Sequence, residues 1–297
     1  MNWFAVDWGT SRLRVWALDD KGRETGSATS DDGMGRLAPE QFEAAFLRCA
    51  ANLLPPEGRV QVLICGMAGA RAGWHEAPYS AVPCAPAAPP RRIPAKDPRL
   101  NVRILPGLCQ TSPPDVMRGE ETQIAGLLAQ DPEFGGIVCL PGTHTKWVRV
   151  HNAQVVGFRT AMTGEVFDLI SARSTLAGFV DQGWQESAFD DEADQAARDP
   201  ANLAIDLFSL RAKALLTGHE DGAMRARLSG RLIGAEVAAM GRLWPFETVT
   251  LLGDPELCAL YARALRVNNV DSHMHNAEAA TLAGLRAAFQ QYPGDPE

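Results

Sequence analysis

The chain has 297 residues, 46 % of them hydrophobic, and a formal net charge of −8. That length accommodates two domains of ordinary size, and the acidic balance argues against sequence-independent nucleic-acid binding, which runs on Lys and Arg. No apolar run approaches the ~20 residues that span a bilayer. Asp7 and Arg12 interrupt any apolar core of a signal peptide. The six cysteines, Cys49, Cys65, Cys84, Cys109, Cys139 and Cys258, show no CxxC spacing for a zinc site. Cys65 and Cys139 lie in apolar runs and read as buried free thiols. The expectation is a soluble protein of a reducing, cytoplasmic compartment, with no membrane or nucleic-acid partner.

The first nineteen residues organise the rest. An apolar run ends at Asp7, turns through Gly9-Thr10-Ser11, and resumes as the alternating run Leu13 to Leu18. That is a strand, a tight turn and a second strand. Closely spaced N–H groups and the hydroxyls of Thr10 and Ser11 suit phosphate oxygens, and a nearby carboxylate suits Mg²⁺ held through water. The plain alternative is a hairpin with a polar tip. A third strand is predicted near Arg23 to Ala28, then a flexible loop at Gly33-Met34-Gly35. A helix from Pro39 follows, with Phe42, Ala45, Phe46 and Cys49 on one face, stopped by Pro55-Pro56. Val60 to Cys65 reads as a buried parallel strand. It runs into Gly66-Met67-Ala68-Gly69, where small residues at a strand's carboxyl end open a ligand crevice. Arg71 and Trp74 add a charge and a flat apolar face to that candidate substrate site; the competing reading is a tight turn without ligand. The proline-rich segment Pro78 to Pro98 reads as an extended surface loop carrying a solvated Arg91-Arg92 pair. Asn101 to Leu105 gives another strand.

Ile124, Leu127 and Leu128 share a helical face, so a helix starts near Gly119 or Glu120. Acids in a first helical turn stabilise the helix dipole by a few tenths to ~1 kcal/mol, which accounts for Glu120 and Glu121 without any chemistry. The functional reading makes one of them a base, with Glu120 ahead of Glu121 and Asp115 third. Arg118 pairs with that acid or grips a carboxylate. Asp131 to Gly136 is a linker. The chain then repeats its opening plan: strand Ile137 to Leu140, turn Pro141-Gly142-Thr143-His144-Thr145, strand Lys146 to Val150, and a third strand at Val155 to Phe158. Both hairpins put Gly-Thr at the turn. Gly142, Thr143, His144 and Lys146 are therefore candidate phosphate ligands, with an exposed turn histidine as the alternative for His144. A helix follows Thr163-Gly164-Glu165, where Thr163 and Glu165 suit capping. Asp181 to Pro200 reads as an acidic surface loop. Helices are predicted at Ala201 to Leu216 and Gly222 to Trp244, joined through Thr217 to Asp221. Gly234 and Glu236 on the second face either nucleotide or a packed helix. Thr248 to Leu252 reads as a buried strand ending at Gly253-Asp254-Pro255, before a helix whose apolar face holds Leu257, Leu260, Tyr261 and Leu265. His273 and His275 have no further ligand at metal spacing and read as exposed. Asn276 to Gln290 reads as a final helix returning to the first domain.

Asp7-Trp8-Gly9-Thr10-Ser11 with Arg14 resembles the first phosphate motif of the sugar-kinase, actin and heat-shock ATPase superfamily. Gly66-Met67-Ala68-Gly69, Arg118-Gly119-Glu120-Glu121-Thr122-Gln123, Leu140 to Trp147 and Thr160-Ala161-Met162-Thr163-Gly164-Glu165 resemble, in order, the motifs of the 2-dehydro-3-deoxygalactonokinase family. The resemblance implies an α/β fold of two ribonuclease H-like (actin-like ATPase) domains with an interdomain cleft. It places residues 1–134 with 276–297 in one domain, carrying the first phosphate hairpin and the sugar-acid site, and 135–275 in the other, carrying the second hairpin and the adenosine site. It implies ATP and Mg²⁺ as cofactors, with Asp7 at the metal and Gly253 near the adenosine. It further implies phosphorylation of 2-dehydro-3-deoxy-D-galactonate at the 6-hydroxyl, in D-galactonate breakdown. The residues by themselves support only a small polar acceptor, anionic by virtue of Arg71 and Arg118. A homodimer is left open, with Phe158 and Phe179 as interface candidates and core burial the stronger expectation for both.

Three other readings compete. One is a kinase for a neutral or amino sugar on the same fold. A second is a non-catalytic ATP-binding sensor. The third is an RNase H-like nuclease, which needs clustered carboxylates and a basic surface and is disfavoured by the net charge. The sequence has no GxxxxGK[ST], no GxGxxG after a strand and no GxSxG.

Overall fold

The computed structural model describes residues 3–217 and 223–293. The chain divides into two compact units, Met1–Gly135 with Val150–Gly157 and Ala277–Glu297, and Gly136–Arg149 with Phe158–Asn276. The predicted connection from Thr217 to Asp221 lies outside the described residues from position 218 on.

In the first unit, β1 (Trp3–Trp8) and β2 (Leu13–Leu18) form an antiparallel hairpin that sets Asp7 opposite Arg14. β3 (Glu24–Ser30) extends it. α1 (Phe42–Cys49) ends before Pro55-Pro56. β4 (Val60–Gly66) lies parallel to β1. Then come β5 (Tyr79–Ala81), β6 (Arg91–Ile93) and β7 (Leu100–Ile104), giving a six-stranded sheet of order β3-β2-β1-β4-β7-β6. The expected Pro78 to Pro98 loop thus contains two short strands. A separate three-stranded sheet joins β5 to β8 (Gly107–Thr111) and β9 (Pro114–Met117), neither anticipated. α2 (Glu120–Gln130) follows.

The apolar run of β1 is continuous because both faces of the sheet are covered. Phe4, Val6 and Trp8 pack with Phe42 and Phe46 of α1, and Trp3 and Ala5 with Leu282, Leu285 and Phe289 of the C-terminal helix, Ala277–Gln291. The Trp3 and Phe289 rings stack with centroids 3.9 Å apart. The C-terminal helix also crosses α2 at backbone contact: a Cβ on Gly126 would lie 1.8 Å from the Ala280 carbonyl oxygen, and one on Gly284 1.9 Å from that of Thr122.

In the second unit the sheet order is β12-β11-β10-β13-β14. Its strands are β10 (Gly136–Leu140), β11 (Thr145–His151), β12 (Gln154–Ala161), β13 (Thr248–Gly253) and β14 (Asp271–Asn276). β13 runs parallel to β10 and to β14. The sequence reading missed β14, whose mostly exposed side chains include His273 and His275. The helices are α3 (Thr163–Arg173), α4 (Glu186–Arg198), α5 (Leu203–Thr217), α6 (Ala223–Leu243) and α7 (Pro255–Val267). The acidic stretch predicted as loop is largely α4. Its Ala188, Phe189, Glu192, Ala193 and Ala196 are buried at helical spacing, and its other acids are exposed or half-buried. Gly234 of α6 abuts the backbone of Ala193, so packing explains it. Phe158 is fully buried, and Phe179 is half-buried against the cluster around Leu228 and Leu232. The six cysteines are free, with Cys65 and Cys139 buried. Among the described residues no helix is long and apolar enough to cross a membrane.

Replacing Gly126 by Ala forces α2 from the C-terminal helix. The expected cost is about 2–3 kcal/mol, read as a lower urea midpoint; an unchanged midpoint would show that the two helices separate freely.

Candidate functional site

In the first unit the chemistry gathers where β1 and β4 end. Arg14 Nη1 donates to Asp7 Oδ2 at 2.9 Å, and the Cys65 thiol faces Asp7 Oδ1 at 3.8 Å. Burial raises the Asp7 pKa, opposed by the Arg14 charge and hydrogen bond. Gly66 turns away from β4 at φ 84, and a Cβ there would lie 2.6 Å from the Trp8 carbonyl oxygen and 3.6 Å from Asp7 Oδ1. A Cβ on Gly119 would lie 3.4 Å from the Gly66 Cα. Asp7, the exit of β4 and the start of α2 therefore converge.

The Gly9-Thr10-Ser11 turn closes through Gly9 N–H donating to the Arg12 carbonyl at 2.9 Å. It is braced from behind: Met34 N–H donates to Gly9 O at 3.0 Å and Gly35 N–H to Thr10 O at 2.9 Å. The predicted flexible loop at Gly33-Met34-Gly35 is this brace, a 3₁₀ turn over Met34–Arg36. Thr10 and Ser11 are exposed on the other side.

The two acids of α2 fold back on the residues before it. Arg118 N–H donates to Glu120 Oε2 at 3.0 Å and Gly119 N–H to Glu121 Oε2 at 2.7 Å. Glu120 is half-buried, whereas Glu121 is 1 % exposed. Burial, then the neighbouring Glu120 charge, push the Glu121 pKa from 4.5 up to about 8. The Arg118 guanidinium opposes that shift electrostatically. It donates to the Ala77 carbonyl at 2.8 Å and lies 4.4 Å over the Tyr79 ring. Arg71 is exposed. Met67 is half-buried and Ala68 fully buried. Trp74, half-buried, packs edge-on to Trp8, with ring centroids 6.1 Å apart, against the core on the α1 side. Asp115 sits in β9, paired across to Gln110.

In the second unit a cavity of ≈ 300 Å³ opens beside the repeated turn. Gly142, Thr143, Thr163 and Gly164 line one part, and Phe167, Asp168, Trp184, Arg225, Leu257 and Tyr261 are among the residues of the rest. A Cβ on Gly164 would lie 2.5 Å from the Gly142 carbonyl oxygen, so the start of α3 rests directly on the turn. Glu165 N–H donates to Thr143 O at 3.0 Å, and the Glu165 carboxylate meets His144 Nε2 at 2.6 Å. Lys146 is 6 % exposed. Gly253 lies outside the cavity lining; a Cβ there would lie 3.2 Å from the Pro141 carbonyl oxygen.

Glu236, 8 % exposed, holds this arrangement from below. Trp147 Nε1–H donates to its Oε1 at 2.6 Å, the Tyr261 hydroxyl donates to its Oε2 at 2.9 Å, and the Thr163 hydroxyl also bonds to it. Thr145 Oγ1 lies 2.7 Å from the Tyr261 hydroxyl. One buried carboxylate thus ties β11, the first residue of α3 and α7 to α6. Thr163 serves this network and makes no helix cap. Sequence reasoning placed Glu236 toward nucleotide or packing and read Tyr261 as plain core. A glutamate within the apolar run of α6 was the available signal. It missed the cavity residues Trp184 and Arg225, which depend on α4 and α6 packing together.

The model of the family described as 2-keto-3-deoxy-galactonokinase matches residues 7–288. The chain belongs to the 2-keto-3-deoxy-galactonokinase family. A Rhizobium meliloti (strain 1021) protein provisionally named 2-dehydro-3-deoxygalactonokinase DgoK1 is 40 % identical, over 96 % of this chain and 95 % of its own. The Escherichia coli (strain K12) 2-dehydro-3-deoxygalactonokinase is 34 % identical, over 96 % of each. A crystal structure from Sinorhizobium meliloti, provisionally assigned to the same enzymes, is 39 % identical with a TM-score of 0.92, over 98 % of this chain and 100 % of that one. At 11 % identity and a TM-score of 0.52, covering 98 % of each chain, component A of the Acidaminococcus fermentans (R)-2-hydroxyglutaryl-CoA dehydratase shares the fold. The family member described here has the actin-like ATPase and sugar-kinase fold.

Two measurements probe these networks. The Glu121 pKa is higher folded than unfolded, so the contribution of this group to stability is full below about 4.5 and lost as pH rises through about 8. Glu121→Gln, which keeps the bond from Gly119 N–H, removes that loss. Its urea midpoint is expected to gain on wild type between pH 5 and pH 9, by an amount on the order of a few kcal/mol; parallel profiles would mean that Glu121 titrates normally. Glu236→Leu strands the Trp147 and Tyr261 donors, at an expected cost of roughly 2–4 kcal/mol. Glu236→Gln is expected to recover most of it, since Tyr261 can turn its proton toward Thr145 and accept from the new amide. Equal destabilisation by Leu and Gln would contradict the network.

Proposed function

We propose that this protein transfers the γ-phosphoryl group of ATP to the 6-hydroxyl of 2-dehydro-3-deoxy-D-galactonate, in cytoplasmic D-galactonate breakdown. The observation that carries the reading is that the family match, residues 7–288, spans both groups of candidate residues. The free cysteines suit a reducing compartment.

The first unit takes the sugar acid. Glu120 is the base for the attacking hydroxyl, because it is partly open where Glu121 is sealed. With a pKa of about 8, Glu121 is mostly neutral at pH 7, which spares Glu120 a second negative charge at its side. Arg71, exposed past the Gly66 turn, meets the substrate carboxylate. Arg118, engaged with Ala77 and Tyr79, shapes the loop instead.

The second unit takes the nucleotide. Its cavity accepts the adenosine, and Gly142, Thr143 and the α3 N-terminus at Thr163-Gly164 accept phosphate oxygens. In the first unit, the exposed hydroxyls of Thr10 and Ser11 are further candidates for phosphate oxygens. Among the described residues no group of three or more His, Cys, Asp or Glu is placed to cage a metal. Mg²⁺ keeps most of its waters and binds through one or two carboxylates and substrate phosphates. Asp7 is the carboxylate that holds it, and the ion supplies neutralisation of phosphate charge. Phosphoryl transfer then asks of the protein chiefly positioning and a modest base.

The test is coupled ATP consumption with Mg²⁺ and a panel containing both C4 epimers of 2-dehydro-3-deoxyhexonate and neutral sugars. Turnover is expected on the galacto acid. Glu120→Ala should lower kcat by about 10²–10⁴-fold, and Arg71→Ala should act mainly on the KM of the sugar acid. Turnover confined to neutral sugars would remove the carboxylate assignment, and full activity in Glu120→Ala would remove the base.

A further inference from the structure

α5 is apolar on two opposite sides. Leu203, Leu207, Leu210 and Ala214 share one side and pack into the cluster formed with Val166, Phe167, Leu228 and Leu232. The other side carries Ile205, Phe208, Ala212, Leu215 and Leu216, which fall within about 100° of arc on a helix of 3.6 residues per turn. This second stripe is uncovered: Ile205 is 70 % exposed, Phe208 67 %, Leu215 60 % and Leu216 86 %. Asp206 and Lys213 border the stripe on one side and Arg211 on the other, so no charge interrupts it. Asp206 is bound to Arg231 at 2.8 Å, and Arg211 donates to the Thr175 carbonyl at 3.3 Å. A surface helix normally turns polar residues outward, and one apolar on both sides asks for a second partner.

We propose that this stripe of α5 is the contact face of a homodimer, with two copies of the helix packed antiparallel about a two-fold axis that passes between Phe208 and Ala212. The stripe suits itself. With the axis level with the stripe's midpoint, between Phe208 and Ala212, Phe208 of one copy can settle beside the small, half-buried Ala212 of the other, and Ile205 can meet Leu215 and Leu216. A C2 contact requires such self-complementarity. The open side chains offer roughly 500 Å² per copy, and about 1,000 Å² for the pair reaches the floor of specific interfaces, so a weak, micromolar dimer is expected. A lipid surface fits less well: interfacial helices bring a Lys- and Arg-rich polar face, whereas α5 contributes one Lys, one Arg and one Asp to a chain of net charge −8.

Sedimentation velocity of the full chain from about 1 to about 100 μM tests this. The expected result is a monomer–dimer equilibrium that Phe208→Glu with Leu216→Glu weakens at least tenfold, with thermal unfolding and turnover per chain unchanged. Should that pair fail to fold, Ala212→Cys gives an independent reading. A short bismaleimide is expected to link it into a covalent dimer that the parent, with its six native thiols, does not form. A monomer at every concentration, a dimer indifferent to both substitutions, or Phe208-dependent co-sedimentation with phosphatidylcholine–phosphatidylglycerol vesicles would each overturn the proposal.

Discussion

Both faces of the first unit's sheet are covered, by α1 on one side and the C-terminal helix on the other. Side chains along β1 and β4 have no route to solvent, so polar chemistry surfaces where the strands stop. Asp7 precedes the last residue of β1, and Gly66 closes β4. The second unit repeats the strand order, and its Gly142-Thr143 turn follows β10 directly. This is the general behaviour of doubly covered sheets, whose ligands gather beyond the carboxyl ends. The consequence reaches α2 as well. Its start is placed against Gly66 because it crosses the C-terminal helix at backbone contact, an approach only glycine at 126 and 284 permits.

The two units solve the problem of buried carboxylates differently. In the first, Glu120 and Glu121 are held by backbone N–H groups just ahead of their own helix, with little cationic help. Burial then wins for Glu121 and lifts its pKa, leaving one acid sealed and one partly open. In the second, Glu236 collects side-chain donors from three separate elements. The first arrangement tunes a pair of acids at a helix start. The second fixes the position of a turn.

Much of this was legible in the residues, for reasons that can be named. The hairpins at both ends of the repeat show period-two alternation around a Gly-Thr turn, and β4 and β13 are short apolar runs. α2 announces itself by Ile124, Leu127 and Leu128. Other elements were obscured by composition. α4 is so acidic that its buried Ala188, Phe189, Ala193 and Ala196 were outweighed, and β14 is an edge strand with little apolar content. The prolines of 78–98 hid two three-residue strands. Site geometry was harder, since it depends on which long-range neighbour each side chain meets. Arg118 was expected to pair with an acid or to grip a carboxylate, and its guanidinium donates to a carbonyl and lies over a tyrosine ring. Trp74, expected as a flat apolar face, rests half-buried against Trp8.

The proposed function divides the labour, with sugar acid taken by the first unit and nucleotide by the second. Hydrogen exchange with each ligand added separately tests it most directly. The sugar acid is expected to slow exchange at residues 66–74 and 118–122, and a non-hydrolysable ATP analogue to slow it at 142–145 and 163–168. Protection of 118–122 by the nucleotide alone, with 142–145 and 163–168 unchanged, would contradict it.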